Sequence, residues 1–164
     1  MAKCVFAGTF DPVTKGHESI IKRLTEFYDS VLVVIGQNKE KICLFTEEQR
    51  YNLVKKTFSN TPKVKVIKYS DYGGGYIDYV KENGYTIYAR GIRNEIDLQY
   101  EKKMEVINKK IYPFFTTVYI NADEKTADCS STVVRQKIAN GQDFASLVPC
   151  QVYQDIFELI KQKN

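Results

Sequence analysis

Histidine occurs once in these 164 residues and cysteine four times. The cysteines, Cys4, Cys43, Cys129 and Cys150, fall at no metal-ligand spacing, and only one histidine is there to help them. That argues against a zinc module; no metal-ligating residue is assigned. Reduced thiols are the expected state, with Cys4 and Cys150 buried as small apolar groups. No apolar run approaches the eighteen or so residues of a membrane span, so no membrane partner is expected. No signal-peptide pattern precedes Lys3-Cys4-Val5-Phe6, and a cytoplasmic location is expected. Neither charge dominates: Lys plus Arg is 24, Asp plus Glu is 20, and the net charge is +4. That suits an anionic substrate but is too mild for a nucleic-acid binder. Repeats, low-complexity tracts and linkers are also lacking, so residues 1–164 read as one domain.

What is present is a regular alternation. Cys4–Ala7 is a short apolar run that stops at Gly8 and reads as a strand. Ile20, Ile21, Leu24, Phe27 and Tyr28 then mark one face of a helix. Val31–Ile35 is continuous and β-branched, the pattern of a strand buried on both faces. Thr46-Glu47-Glu48-Gln49 is a capping box opening a helix toward Phe58. Val64–Tyr69 is a third strand, followed by Gly73-Gly74-Gly75. A helix through Tyr79 and Val80 stops near Gly84. Thr86–Ala89 is a fourth strand. Ile96, Tyr100, Met104, Ile107 and Ile111 line a long helix that Pro113 closes. Thr116–Ile120 is a fifth strand, Ser130 or Ser131 caps the next helix, and Val152–Ile160 forms the last.

Sustained strand–helix alternation predicts an α/β fold: a doubly wound, Rossmann-like domain with a five-stranded parallel sheet and helices on both faces. In such folds ligands bind beyond the carboxyl ends of the strands. Three segments with chemical potential fall there. Gly8-Thr9-Phe10 and Gly16-His17 surround a helix N-terminus, where free amides favour an anion, and where His17 and Thr9 can donate to phosphate oxygens. Arg90-Gly91-Ile92-Arg93 presents two forked donors at a strand end; these can hold phosphate, or pair with Asp97 and Glu101 downstream, or both. Cys129-Ser130-Ser131-Thr132 puts three hydroxyls at another helix start, more than simple capping needs.

The run Gly8-Thr9-Phe10-Asp11-Pro12 through Thr14-Lys15-Gly16-His17 resembles the nucleotidyltransferase signature, with Thr14 where a histidine is usual. With Phe45-Thr46-Glu47-Glu48-Gln49-Arg50, Arg90–Arg93, Asp97, Tyr100-Glu101 and Ser130–Thr132, the chain resembles the bacterial phosphopantetheine adenylyltransferase family along nearly its whole length. It departs from that family at Ala7, where proline is common. Gly73–Gly75, Lys125–Asp128 and Cys129 depart as well, the last replacing an apolar residue.

The resemblance implies adenylyl transfer from ATP to 4'-phosphopantetheine. It implies that His17, Thr9, Lys41 and Arg90 are catalytic, and that Thr9, Lys41, Tyr76 and Arg90 meet the acceptor, with Lys39 a second choice to Lys41. ATP would meet Thr9, Phe10, His17, Gly91, Ile92, Arg93, Glu101, Thr126, Ala127, Asp128, Cys129, Ser130, Ser131 and Thr132. Mg²⁺ would accompany the nucleotide, coenzyme A could act as a feedback ligand, and the family forms homohexamers. Transfer to another phosphorylated acceptor such as nicotinamide mononucleotide, or a silent nucleotide-binding module, remains the alternative.

Overall fold

A computed structural model describes residues 1–36, 42–73 and 76–163. The strands are β1 (Lys3–Gly8), β2 (Ser30–Ile35), β3 (Val64–Lys68), β4 (Ile87–Ile92) and β5 (Thr116–Asn121). They form one parallel sheet in the order β3-β2-β1-β4-β5. Between and after them run α1 (Lys15–Phe27), α2 (Glu47–Thr57), α3 (Tyr76–Glu82), α4 (Glu95–Ile111), α5 (Ser131–Ala139) and α6 (Tyr153–Lys161).

Strand periodicity sorts the core into two layers. Cys4, Phe6, Val31, Val33 and Ile35 face the larger one, filled by Ile21 and Leu24 of α1, Leu53 and Val54 of α2, Val134 of α5 and Ile156 of α6. Val5, Leu32 and Val34 face the other, with Val80 of α3 and Tyr85. The central strands are therefore buried on both sides, as their unbroken apolar runs require.

Local signals hold at several termini. Thr46 caps α2 and completes its box with Gln49. Gly84 ends the α3 segment with φ +71°, a conformation that glycine adopts without a Cβ penalty. Ser130, rather than Ser131, caps α5.

Two expectations change. β4 runs on through Ile92, so Arg90 and Gly91 are strand residues in register with Tyr119 and Ile120 rather than a loop after the strand. Cys150 is exposed while Cys4 is buried; Cys150 follows Pro149 in a turn that no element covers. On the apolar stripe of α4, Ile96 is 78% exposed and Tyr100 60% exposed. The side chains of Ile107 and Ile111, and all of Gly74 and Gly75, lie outside the described residues.

Candidate active site

The sheet order reverses direction at β1, with β2 on one side and β4 on the other. Crossovers leave β1 toward opposite faces, so a crevice opens beyond the carboxyl ends of β1 and β4. A cleft of about 310 Å³ occupies that place. Its walls include Gly8, Thr9, His17, Arg90, Gly91, Arg93, Glu101 and Ser130–Thr132. A larger hollow of about 550 Å³ lies beside α1, but it mixes Lys15, Lys22 and Arg23 with Glu18, Glu26 and Asp123. It shares only Thr126 with the residues singled out above.

Two helix N-termini meet at the cleft. Gly16 makes this possible, because a Cβ there would lie 2.8 Å from the carbonyl oxygen of Cys129. The start of α1 thus packs on the residues leading into α5. Gly91 is similarly tight, since an added Cβ would collide with Cδ1 of Ile20.

His17 is the third residue of α1 and is half-buried. The backbone N–H of Thr14 donates to its Nδ1 at 3.1 Å. An N–H can only donate, so Nδ1 carries a lone pair and the proton of the neutral ring sits on Nε2. Phe10 packs against the imidazole with centroids 4.8 Å apart. Burial, and then the charge of Arg93, push the His17 pKa down to about 4. The ring is therefore a neutral N–H donor throughout the physiological range. Phe10 is 1% exposed and has φ +50°.

Both arginines of β4 and its exit are paired, as one reading of the sequence allowed. Arg90 donates to Glu101 through Nε and Nη2, and to the carbonyl of Ala7 at 3.0 Å. Burial is the largest single influence and would lower the Arg90 pKa, but the hydrogen bond to Glu101 together with the charges of Tyr88, Glu101 and Tyr76 makes the net shift upward. Arg93 donates to Asp97 at 2.9 Å and stays largely exposed. Glu101 therefore orients Arg90 within the cleft wall.

The three hydroxyls before and within α5 are not equivalent. Ser130 Oγ accepts from the Val133 amide, so its own O–H is left to donate. Thr132 Oγ1 accepts from Arg135 and likewise keeps its donor. Ser131 spends its proton on the carbonyl of Pro12 at 2.8 Å. Cys129 also lines the cleft; burial, ahead of nearby charges, raises its thiol pKa.

Thr9, Phe10, His17, Arg90, Gly91, Arg93, Glu101, Thr126, Cys129, Ser130, Ser131 and Thr132 are thus brought to one cleft. Ile92, Ala127, Asp128 and Tyr76 are not among its walls. Ile92 is buried, and its carbonyl accepts from Ala122. Tyr76 packs on the opposite sheet face, where burial and then Tyr88 raise its phenol pKa and the charge of Arg90 acts against them. Lys39 and Lys41 lie outside the described residues.

Sequence reasoning passed over Asp11, Arg50 and Arg135. Asp11 is 3% exposed and accepts from the amides of Leu44 and Phe45. Arg135 donates to the Asp11 carbonyl at 2.6 Å, tying α5 to the turn after β1. Arg50 shares the buried face of α2 with Leu53, Val54 and Thr57, and a charge on an apolar stripe was the available signal.

Among the described residues, no three His, Cys, Asp or Glu side chains gather as a metal site. Glu101, the carboxylate in the cleft wall, is engaged by Arg90. The described residues do not form a carboxylate cage for Mg²⁺.

A parallel sheet in this order, with two helix N-termini and paired arginines around its switch-point crevice, defines an α/β nucleotidyltransferase domain. The cytidylyltransferase-like family model matches residues 5–137. Phosphopantetheine adenylyltransferases of Thermotoga neapolitana and Dictyoglomus turgidum are 35% and 36% identical over 96% and 99% of the chain, and 96% and 100% of their own lengths. That of Flavobacterium psychrophilum is 38% identical over 91% of the chain and 96% of its own length. The chain belongs to the phosphopantetheine adenylyltransferase family. A Vibrio parahaemolyticus structure, provisionally named a nicotinate-nucleotide adenylyltransferase, superposes with a TM-score of 0.71 at 16% identity, covering 100% of this chain and 98% of that one. That likeness bears on the fold alone.

Proposed function

We propose that the protein transfers the adenylyl group of ATP to 4'-phosphopantetheine, giving dephospho-coenzyme A and pyrophosphate. The observation that carries this reading is the meeting of Thr9, His17, Arg90 and the α5 N-terminus around one crevice, in a chain of this family.

An oxygen of the acceptor's phosphate attacks the α-phosphorus in line. The new P–O bond forms as the bond to the β-phosphate oxygen breaks, and pyrophosphate leaves with the electron pair. The acceptor phosphate is already ionised near neutral pH, so no strong general base is needed. Catalysis is then positioning plus stabilisation of charge on the transferring group. His17 donates through Nε2–H without changing its own charge. Ser130 and Thr132 add hydroxyl donors beside the α5 amides, and Arg93 adds a cation to the ATP phosphates. Arg90, held by Glu101, faces the acceptor, and Lys41 contributes a second cation to it. A Mg²⁺ ion arriving with ATP would neutralise phosphate charge; no residue of the chain is assigned to hold it.

The exposed Ile96, Tyr100 and Val106 on α4 support a homo-oligomer, for which the hexamer is the form proposed. A cytoplasmic setting fits the substrates, and among the described residues no helix is long and apolar enough to cross a membrane.

The test is pyrophosphate release from ATP with a panel of acceptors: 4'-phosphopantetheine, nicotinamide mononucleotide, nicotinate mononucleotide and glycerol 3-phosphate. Release with phosphopantetheine alone is expected. Preference for a mononucleotide would overturn the substrate assignment.

A further inference from the structure

Arg50 is 2% exposed, yet among the described residues no carboxylate lies within ion-pair distance of it. Its guanidinium instead serves three main-chain carbonyls. Nη1 donates to Thr9 at 2.5 Å and to Gly36 at 2.8 Å, and Nε donates to Phe45 at 3.2 Å. These carbonyls belong to different segments. Thr9 follows β1, Gly36 follows β2, and Phe45 precedes the cap of α2.

Burying a guanidinium is costly, and only good hydrogen-bond geometry offsets it. One planar fork meeting three carbonyls fixes those carbonyls relative to each other. Thr9 lines the cleft and is a donor to the transferring phosphoryl group in the proposed reaction. Gly36 and Phe45 are the anchors on either side of residues 37–44, the stretch of sequence that includes Lys41. Asp11 strengthens the second anchor by accepting from the amides of Leu44 and Phe45 at 2.8 and 2.9 Å.

The charge matters as well as the shape. Parallel strands end with carbonyl oxygens directed beyond their carboxyl ends, where they oppose an incoming phosphate. Arg50 takes up two such oxygens, at the exits of β1 and β2, with a cation that cannot be deprotonated.

We infer that Arg50 is a positioning residue: it sets the nucleotide-side turn at Thr9 and the acceptor-side anchors at Gly36 and Phe45 in one register for transfer. The inference rests on the adenylyl transfer proposed above. An inactive wild-type protein would defeat that reading, whereas the outcomes below are read only against active wild-type protein.

The primary variant is Arg50→Lys, which keeps the charge but not the fork. At saturating ATP and phosphopantetheine, kcat is expected to fall on the order of ten- to a hundredfold, with the thermal midpoint and active-site titre retained. Because Arg50 acts through Thr9, the same substitution in a Thr9→Ala background should cost less than about threefold, a non-additivity that a merely structural role would not produce. Unchanged kcat in Arg50→Lys would overturn the inference. So would equal fold losses in the two backgrounds, or a loss of kcat that only mirrors a loss of folded protein.

Discussion

Thr14 and His17 cap each other at the start of α1: the Thr14 amide donates to Nδ1 at 3.1 Å, and the His17 amide donates to Thr14 Oγ1 at 3.4 Å. One capping box therefore also selects the tautomer of the only imidazole in the chain. Because the histidine is unique, its ring resonances can be read without assignment. The ring nitrogens should show the Nε2–H neutral form at pH 7, with a titration midpoint displaced to near 4. A midpoint near 6.5 would contradict both the burial and the hydrogen bond.

The same shift predicts a stability effect of known sign. The folded pKa lies below the unfolded value of 6.5, so the unfolded chain binds more protons between the two. Stability from the neutral ring is complete above about 6.5 and is lost as pH falls toward 4. The loss is on the order of 3 kcal/mol. Urea denaturation at pH 7 and pH 4.5 should show a steeper acid loss in wild type than in His17→Ala.

His17→Ala should leave a folded protein that turns over roughly a hundredfold or more slowly, the equivalent of losing one preorganised donor worth about 2.7–4 kcal/mol. Pyrophosphate release and circular dichroism on the same sample check it. Near-normal turnover would remove the imidazole from the mechanism.

Arg90→Ala should weaken phosphopantetheine binding by calorimetry while ATP affinity changes less. Glu101→Gln leaves the partly buried guanidinium without its charged partner and should cost about 2 kcal/mol of stability. It should also weaken acceptor binding, because Glu101 orients the arginine. Unchanged acceptor affinity in both variants would contradict the placement of Arg90.

Gly91→Ala should destabilise by about 1–3 kcal/mol, because the added methyl meets Cδ1 of Ile20. Ile20→Val removes that carbon and should recover part of the loss in the double variant. Thermal melts of the four proteins close the cycle.

Much of this fold was legible in short-range pattern. Val31–Ile35 reads as a doubly buried strand, and all five residues are at most 1% exposed. The box from Thr46 to Gln49 and the stop at Gly84 need only neighbouring residues, and both form as read. The motifs near Thr9, His17, Arg90 and Ser130 were recognisable for the same reason: each is a few contiguous residues at a strand exit or helix start.

Burial of single loop residues was not legible. Cys4 and Cys150 look alike in sequence, but one lies in the central strand and the other in an uncovered turn. The α4 stripe is equally ambiguous, because helical spacing marks an apolar face without naming what covers it.

Periodicity, caps and glycine placement are local, so the chain's own order of residues settles the elements, their alternation and the segments that fall at strand exits and helix starts. Which strands adjoin, which serine hydroxyl keeps its proton and what a buried arginine holds depend on residues far apart in the chain. Arg50 reaches Thr9 across 41 positions, and Ser131 reaches Pro12 across 119. Such contacts exist only once the sheet has brought their segments together, which is why the candidate residues were nameable in advance and the contacts that hold them were not.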